Sequence, residues 1–277
     1  MTDWLKPLTL QTELARQIIV AFIRAELTRA GFTHGILGLS GGIDSALVAF
    51  LAAEALGKEN VVALLMPYRT SNPASRADAE LVAAQLGIAT RVIEITPMVE
   101  PYLAQYAPHD ARRRGNVMAR ARMIALYDHS EEFHALVLGT SNKTETLLGY
   151  TTQFGDNAAA LQPIADLYKC QVRQLARALG VPAPVLAKAP SADLWQGQTD
   201  EGELGFTYDD ADAILYRLVD ERRAVADVIA EGFEPRVVQR VGELLRRNQF
   251  KRVPAPVAKI SARTVGVDFL YNRDWGT

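Results

Sequence analysis

The chain has 277 residues, carries 30 Lys+Arg against 32 Asp+Glu for a formal net charge of −2, and is 49% hydrophobic. That balance describes a soluble globule able to bury a large core, and it excludes a disordered chain or a basic polyelectrolyte-binding tail. The single cysteine, Cys170, excludes a disulfide framework and a cysteine metal cluster and points to a reducing cytoplasm. Asp3, Lys6, Pro7 and Glu13 interrupt the stretch where a signal peptide would be apolar, and no run reaches the ~20 apolar residues of a membrane span.

Apolar residues at Leu10, Leu14, Ile18, Phe22, Ala25 and Leu27 recur with a helical period, which predicts a helix over about 9–30 ending at Gly31. Gly35–Leu39 then reads as a buried strand, followed by a tight loop and a helix over Ala46–Leu56. Val61–Met66 and Thr90–Ile95 are the next strands, with a helix over Ala74–Leu86 between them. After an irregular stretch come a helix over Asn116–Tyr127 and a fourth strand, Leu136–Gly139. Tyr150–Asp166 loses its periodicity and reads as a functional loop. Helices follow over Leu167–Leu179, Tyr208–Ile229 and Pro235–Asn248, with a second irregular loop at 187–206. The alternation predicts an α/β fold with a doubly wound, mostly parallel, Rossmann-like sheet, helices on both faces and a helical C-terminal part, forming one domain over 1–277.

The most informative segment is Gly38-Leu39-Ser40-Gly41-Gly42-Ile43-Asp44-Ser45, between a predicted strand and helix. Glycines let backbone approach a ligand, Ser40 and Ser45 add hydroxyl donors, and the amides opening a helix favour phosphate oxygens. No lysine follows the glycines, so this is not the mononucleotide loop with Gly-Lys-Ser/Thr, and the spacing is not that of dinucleotide folds. A carboxylate at Asp44 would repel phosphate unless a divalent cation lay between them, which implies Mg²⁺. The plainer alternative is a strand-to-helix turn in which Asp44 and Ser45 are caps.

The Ser-Gly-Gly-x-Asp-Ser pattern resembles the pyrophosphate-binding loop of the ATP pyrophosphatase superfamily. Four later segments narrow the resemblance: Gly115–Met123, Gly139-Thr140-Ser141-Asn142-Lys143-Thr144-Glu145, Gly149-Tyr150 with Phe154-Gly155-Asp156, and Lys188–Leu194. Together they look like the ammonia-dependent NAD synthetases, from the phosphate loop to Phe250-Lys251-Arg252. That resemblance implies ATP-dependent amidation of nicotinic acid adenine dinucleotide (deamido-NAD⁺) to NAD⁺, through an acyl adenylate, with release of AMP and pyrophosphate. It places residues 38–45 on the ATP phosphates, Asp44 and Glu145 on Mg²⁺, Thr140 and Ser191 as hydroxyls contacting ATP, and Lys169 on the ATP phosphates. It places Arg120 and Lys251 on deamido-NAD⁺. It further implies a homodimer with the dinucleotide site at the subunit interface.

The chain departs from the family where many members place a lysine and an aspartate on the dinucleotide, because Gln153 and Ala160 stand there. Gln153 is kept as a substrate candidate. Phe250 stands in place of a family histidine. With Cys170 inside the synthetase-like region there is no glutaminase nucleophile with a domain of its own, so ammonia is the expected nitrogen donor. Two other functions share the loop: a tRNA-modifying adenylating enzyme, which calls for a basic RNA surface or paired cysteines, and a nucleotide-binding protein without turnover, which does not call for Asp44 and Glu145 together. His34, His109, His129 and His134 lack metal-ligand spacing, and Arg112-Arg113-Arg114 reads as a solvated or anion-facing loop rather than a nucleic-acid surface. Cys170 reads as a small buried hydrophobe. The stretches at 68–75 and 187–206 are expected to act as lids that keep water from the adenylate.

Overall fold

The computed structural model describes residues 4–106, 110–191 and 199–269. The expectations for His109 and for Ala192–Leu194 lie outside these residues. Four parallel strands, β1 (His34–Gly38), β2 (Val61–Leu65), β3 (Ala89–Val92) and β4 (Ala135–Val137), are ordered β3-β2-β1-β4. The chain therefore steps outward from β1 to β3 and returns to the other side of β1. The reversal opens a crevice at the carboxyl ends of β1 and β4, the place where open parallel sheets take ligands.

Alternation along the strands feeds two cores. Leu37, Val61, Ala63, Leu65 and Leu138 belong to one cluster, which includes residues of α1 (Thr12–Arg29), α2 (Ile43–Leu56), α3 (Pro73–Leu86), α7 (Lys169–Ala178) and α8 (Ala183–Ala187). Ile36, Val62, Leu64, Ala135 and Val137 form another with Leu126 of α5 (Ala111–Glu132). Helices thus cover both faces, as the sequence predicts. In α2, Leu47, Val48 and Leu51 are fully buried, and burial of each stabilises the fold by about 1.5–3 kcal/mol. A helix apolar on nearly every side is the interior element of the domain. The edge strand β3 is short and mostly exposed, which limits its use as a template for further pairing.

A third cluster joins α6 (Lys143–Leu148), the start of α7, α10 (Tyr208–Leu215), α11 (Val225–Ala230) and α12 (Pro235–Arg247), with α9 (Asp200–Leu204) at its edge. It is the helical C-terminal part.

Several elements differ from expectation. The irregular stretch before Asn116 contains α4 (Thr96–Tyr106), hidden in sequence by Pro97 and Pro101. Pro97 stands in the first turn, where a missing N–H leaves nothing unpaired. The next helix, α5, begins at Ala111 because the Asp110 carboxylate accepts from the N–H groups of Arg112 and Arg113. The arginine run is therefore the opening of a helix, not a loop. The single helix predicted over Tyr208–Ile229 is three pieces: α10, a π-helical turn over Tyr216–Asp220, and α11. Arg222 takes φ +56 at the break, a left-handed conformation that no glycine announced. The segment at 68–72 is held to α4, with the Arg69 N–H donating to Thr96 Oγ1 at 2.9 Å and the Arg69 guanidinium 2.9 Å from Glu100. It is an anchored turn leading into α3, not a loose lid. Within 187–206, Asp200–Leu204 is helical.

Candidate active site at the sheet switch point

The loop after β1 delivers the first group. Leu39 extends the sheet, its N–H donating to Leu64 O at 2.9 Å, and Gly41 turns the chain at φ +77. Ser45 is buried. Its hydroxyl donates to Gly42 O at 3.0 Å and accepts from Ser40 N–H at 3.2 Å, while Ser40 Oγ accepts from Gly42 N–H at 3.2 Å. In this arrangement the Ser45 hydroxyl holds the loop in shape. Because α2 starts at Ile43, earlier than predicted, Asp44 falls in the first helical turn, where the helix dipole favours a carboxylate.

A Cβ on Gly41 would lie 2.1 Å from the backbone oxygen of Ser75. Since that obstacle is backbone and φ is positive, Gly41→Ala is expected to destabilise the fold by about 1–3 kcal/mol and to lower turnover by shifting the loop. Urea unfolding and steady-state kinetics check this, and an unchanged variant on both counts would refute it.

The loop after β4 delivers the second group. Asn142 caps α6, its Oδ1 accepting from Glu145 N–H at 2.9 Å, and its Nδ2 donates to Asp44 Oδ1 at 2.9 Å. One side chain thus sets the Glu145 turn and ties it to Asp44. Lys169, at the start of α7, supplies the third. It is 2% exposed, and its ammonium donates to Asp44 Oδ2 at 2.6 Å and Glu145 Oε1 at 3.0 Å while sitting 4.9 Å from the centre of the Tyr208 ring. An exposed lysine, the ordinary expectation at a helix start, is excluded.

Burial acts on Glu145 and Lys169 in opposite senses. It pushes the Glu145 carboxyl up to about 7, opposed by the Lys169 ammonium and reinforced by the nearby Asp44 charge. Burial alone would lower the Lys169 pKa, but Asp44 and Glu145 overcome it and hold the ammonium above its usual range, so it is cationic at neutral pH.

Around this cluster stand residues that the sequence reading did not assign. The Tyr208 hydroxyl donates to Asp200 Oδ2 at 3.0 Å and approaches Glu145 Oε1 at 3.3 Å. The Tyr150 hydroxyl bridges Asp200, at 3.2 Å, and Glu203. Lys188 reaches the glycine loop itself, with Nζ donating to Asp78 Oδ2 at 2.9 Å, Ser75 Oγ at 3.1 Å and Gly41 O at 3.4 Å. Tyr208 and Asp200 gave no motif, since their meeting depends on the packing of α9 and α10 against α6.

Arg120, Gln153 and Lys251 gather on a different feature, the loop after α6. Arg120 donates to the Gln153 carbonyl at 3.2 Å, and Lys251 Nζ donates to the carbonyls of Gly149 and Thr151 at 2.7 Å each. Arg122 turns away, its Nε donating to Met66 O at 3.1 Å. Thr140 is half-buried after β4, two residues before Asn142, and Ser191 is exposed three residues after Lys188. Cys170 is buried as expected, its thiol pushed up by burial and by the neighbouring Asp212 charge. Among the described residues no group of three or more His, Cys, Asp and Glu side chains is placed to hold a metal ion, and no helix is long and apolar enough to cross a membrane.

A glycine turn opening a helix, two carboxylates and a buried lysine, all at the switch point of a parallel sheet, define a nucleotide-handling α/β enzyme. The family model described as NAD synthase matches residues 15–255. An NH(3)-dependent NAD(+) synthetase of Trichlorobacter lovleyi is 55% identical over 269 residues, covering 97% of this chain and 98% of that protein. Among solved structures, NMN synthetase from Francisella tularensis matches with TM-score 0.81 at 33% identity, over 91% of this chain and 100% of that one. The NH3-dependent NAD synthetase from Campylobacter jejuni, in complex with the nitrate ion, matches with TM-score 0.78 at 33% identity and the same coverage. The chain belongs to the NAD synthase family and is a ligase.

Proposed function

We propose that the chain amidates deamido-NAD⁺ to NAD⁺ with ammonia and ATP, and that the crevice between β1 and β4 is where ATP is cleaved. The observation that carries the reading is the convergence of Asp44 and Glu145, from the ends of two neighbouring strands, on the Lys169 ammonium beside the phosphate loop. A carboxylate resists ammonia because its charge repels nucleophiles and oxide leaves poorly. Attack of the pyridine carboxylate on the α-phosphorus of ATP forms an acyl adenylate and breaks the bond to pyrophosphate. Ammonia then attacks the acyl carbon, the amide forms, and AMP departs with the bonding electrons while the surplus proton passes to solvent.

The loop amides at 40–45 bind phosphate oxygens, and Lys169, held cationic by its two acids, faces the charge that develops on pyrophosphate. Asp44 and Glu145 fit Mg²⁺ in kind: both are hard oxygen donors, and the ammonium between them marks where positive charge is stabilised. Two carboxylates completed by substrate oxygens are a usual Mg²⁺ set. When bound, Mg²⁺ neutralises phosphate charge and makes pyrophosphate a better leaving group.

No protein nucleophile is required, and Cys170, buried with a thiol held protonated, is unsuited to glutamine hydrolysis. Gln153 on the 149–156 loop, and Arg120 and Lys251 donating to that loop's carbonyls, are the residues for deamido-NAD⁺. Pairing of two chains belongs to the same reading, supported by the exposed Tyr102 and Tyr106 of α4 and Ile124 and Tyr127 of α5, the helix that carries Arg120. So does a cytoplasmic setting, in keeping with a lone unoxidised cysteine.

Purified protein given ATP, Mg²⁺, an ammonium salt and deamido-NAD⁺ should yield NAD⁺, AMP and pyrophosphate in equal amounts and sediment at twice the chain mass. Nicotinic acid mononucleotide, the acid that the Francisella neighbour's name suggests, should be a poorer substrate. Formation of ADP and orthophosphate, or a requirement for glutamine, would overturn the reading; sedimentation at the chain mass would remove the dimer.

A further inference from the structure

The helix α10 carries an anomaly. Its inward residues Tyr208, Ala211, Ala213, Ile214 and Leu215 are all buried, and among them Asp212 has no exposed surface at all. A carboxylate in that position costs far more than a leucine unless its oxygens are bonded, and both are. Oδ1 accepts from the Thr144 hydroxyl at 2.5 Å, and Oδ2 accepts from the Cys170 N–H at 2.7 Å. Thr144 is itself fully buried, and its Oγ1 accepts from the Lys169 N–H at 2.9 Å. The chain of bonds therefore runs from α10 into the first turn of α6 and the first turn of α7. The residues next in sequence to the two bonded ones are Glu145 and Lys169, whose side chains meet at 3.0 Å.

We infer that Asp212 is a positioning residue for the amidation: by accepting from Thr144 and Cys170 together, it fixes the starts of α6 and α7 in the register that brings Glu145 and Lys169 to Asp44. The inference rests on the proposed role of that trio in cleaving ATP. Asp212 touches none of the reacting groups. Both helix starts lie where backbone N–H groups have no partner within the helix, and Thr144 and Asp212 satisfy two of those on α7, at Lys169 and Cys170. An apolar residue at 212 would leave the Cys170 N–H and the Thr144 hydroxyl buried and unpaired, and each start would be free to settle elsewhere. Asn at 212 keeps the volume but has a single acceptor: with its oxygen on the Cys170 N–H its NH2 faces Thr144, whose proton loses its acceptor, so the charge-assisted Thr144 link is weakened while packing is preserved.

The test uses the full chain with four single variants, Asp212→Asn, Thr144→Val, Thr144→Ser and Asp44→Ala, and the Asp212→Asn, Thr144→Val double variant, each checked for folding by circular dichroism and thermal unfolding before kinetics with ATP, Mg²⁺, ammonium and deamido-NAD⁺. Misplacement of reacting groups lowers kcat more than it raises KM, so folded Asp212→Asn should lose about tenfold or more in kcat with KM values for ATP and deamido-NAD⁺ within about threefold. Thr144→Val should lose a similar amount and Thr144→Ser, which restores the hydroxyl, should recover most of it. The Asp212→Asn, Thr144→Val double variant should be no slower than the worse single one, because both act on the bond between Asp212 and Thr144.

Folded Asp212→Asn with parental kcat would overturn the inference, as would losses that multiply in the double variant. If Asp212→Asn does not fold, the Thr144 pair decides: equal kcat for the Val and Ser variants would overturn it, and a loss restored by Ser would support it. Asp44→Ala separates the two levels, since an active Asp44→Ala variant sinks the role of the trio itself, whereas an inactive one beside an unimpaired Asp212→Asn sinks only the positioning role.

Discussion

Lys169→Met is expected to abolish turnover and to cost more stability than any other single change in the charged cluster. Methionine nearly matches lysine in length, so the slot beside Tyr208 stays filled and no cavity term arises. What is lost is the one cation shared by two largely buried carboxylates. Breaking a buried ion pair by removing one partner typically costs about 3–5 kcal/mol, and the residual exposure of Asp44 and Glu145 places this case toward the lower figure. Against a domain stability of about 5–15 kcal/mol that is a large fraction.

The same change carries a pH signature. Glu145 titrates near 7 even with the ammonium beside it, above the ordinary 4.5 of an unfolded carboxyl. Without the ammonium it moves further up. A group that binds its proton more tightly when folded loses its stabilising contribution as pH rises through the interval between the two values. Urea unfolding in metal-free buffer should therefore find the variant's deficit larger at about pH 8 than at about pH 5.5. A variant as stable as the parent at both values would show that Lys169 does not compensate the two acids.

The glycine loop and the segment holding Glu145 are legible in the sequence because each belongs to a local pattern, whereas Lys169 is reached only through the family resemblance, since the local reading at a helix start is an exposed lysine. A glycine turn between an apolar run and a helix is written in consecutive residues, and so is the polar segment after β4. The parallel sheet followed from the same alternation, and with it the switch point between β1 and β4. What was not legible depends on contacts between distant segments. Tyr208 and Asp200 reach the cluster only because α9 and α10 pack against α6, and Lys188 reaches Gly41 across 147 positions of chain. Arg222 breaks the 208–229 stretch in a conformation that its residue type disfavours, so no local rule would have placed the break. Asp212 is an intermediate case: the helical period from Tyr208 through Ala211 to Leu215 already puts position 212 inward, and a carboxylate on an inward face is a visible anomaly once it is looked for.

Asp44→Ala separates charge balance from chemistry. With Asp44 present the cluster holds two carboxylates and one ammonium; without it, Lys169 and Glu145 remain as a balanced pair at 3.0 Å. The fold therefore loses the favourable carboxylate in the first turn of α2, the acceptor for Asn142 and the shorter of the two Lys169 ion pairs, a smaller cost than that of Lys169→Met because Glu145 still accepts from the ammonium. Turnover should fall by at least about 10²–10³, the scale seen when one electrostatic partner of a transition state is removed. Asp44→Asn sharpens the point. It retains an oxygen that can accept from Asn142 but no charge, so it should unfold close to the parent and be as inactive as Asp44→Ala, with any residual AMP formation requiring far more Mg²⁺. If Asp44→Asn instead forms AMP at the parental rate at ordinary Mg²⁺, the carboxylate is a helix cap and the cation must be held elsewhere. The opposite stability order of the Lys169 and Asp44 variants, with both inactive, is the outcome that only a shared cation between two acids explains.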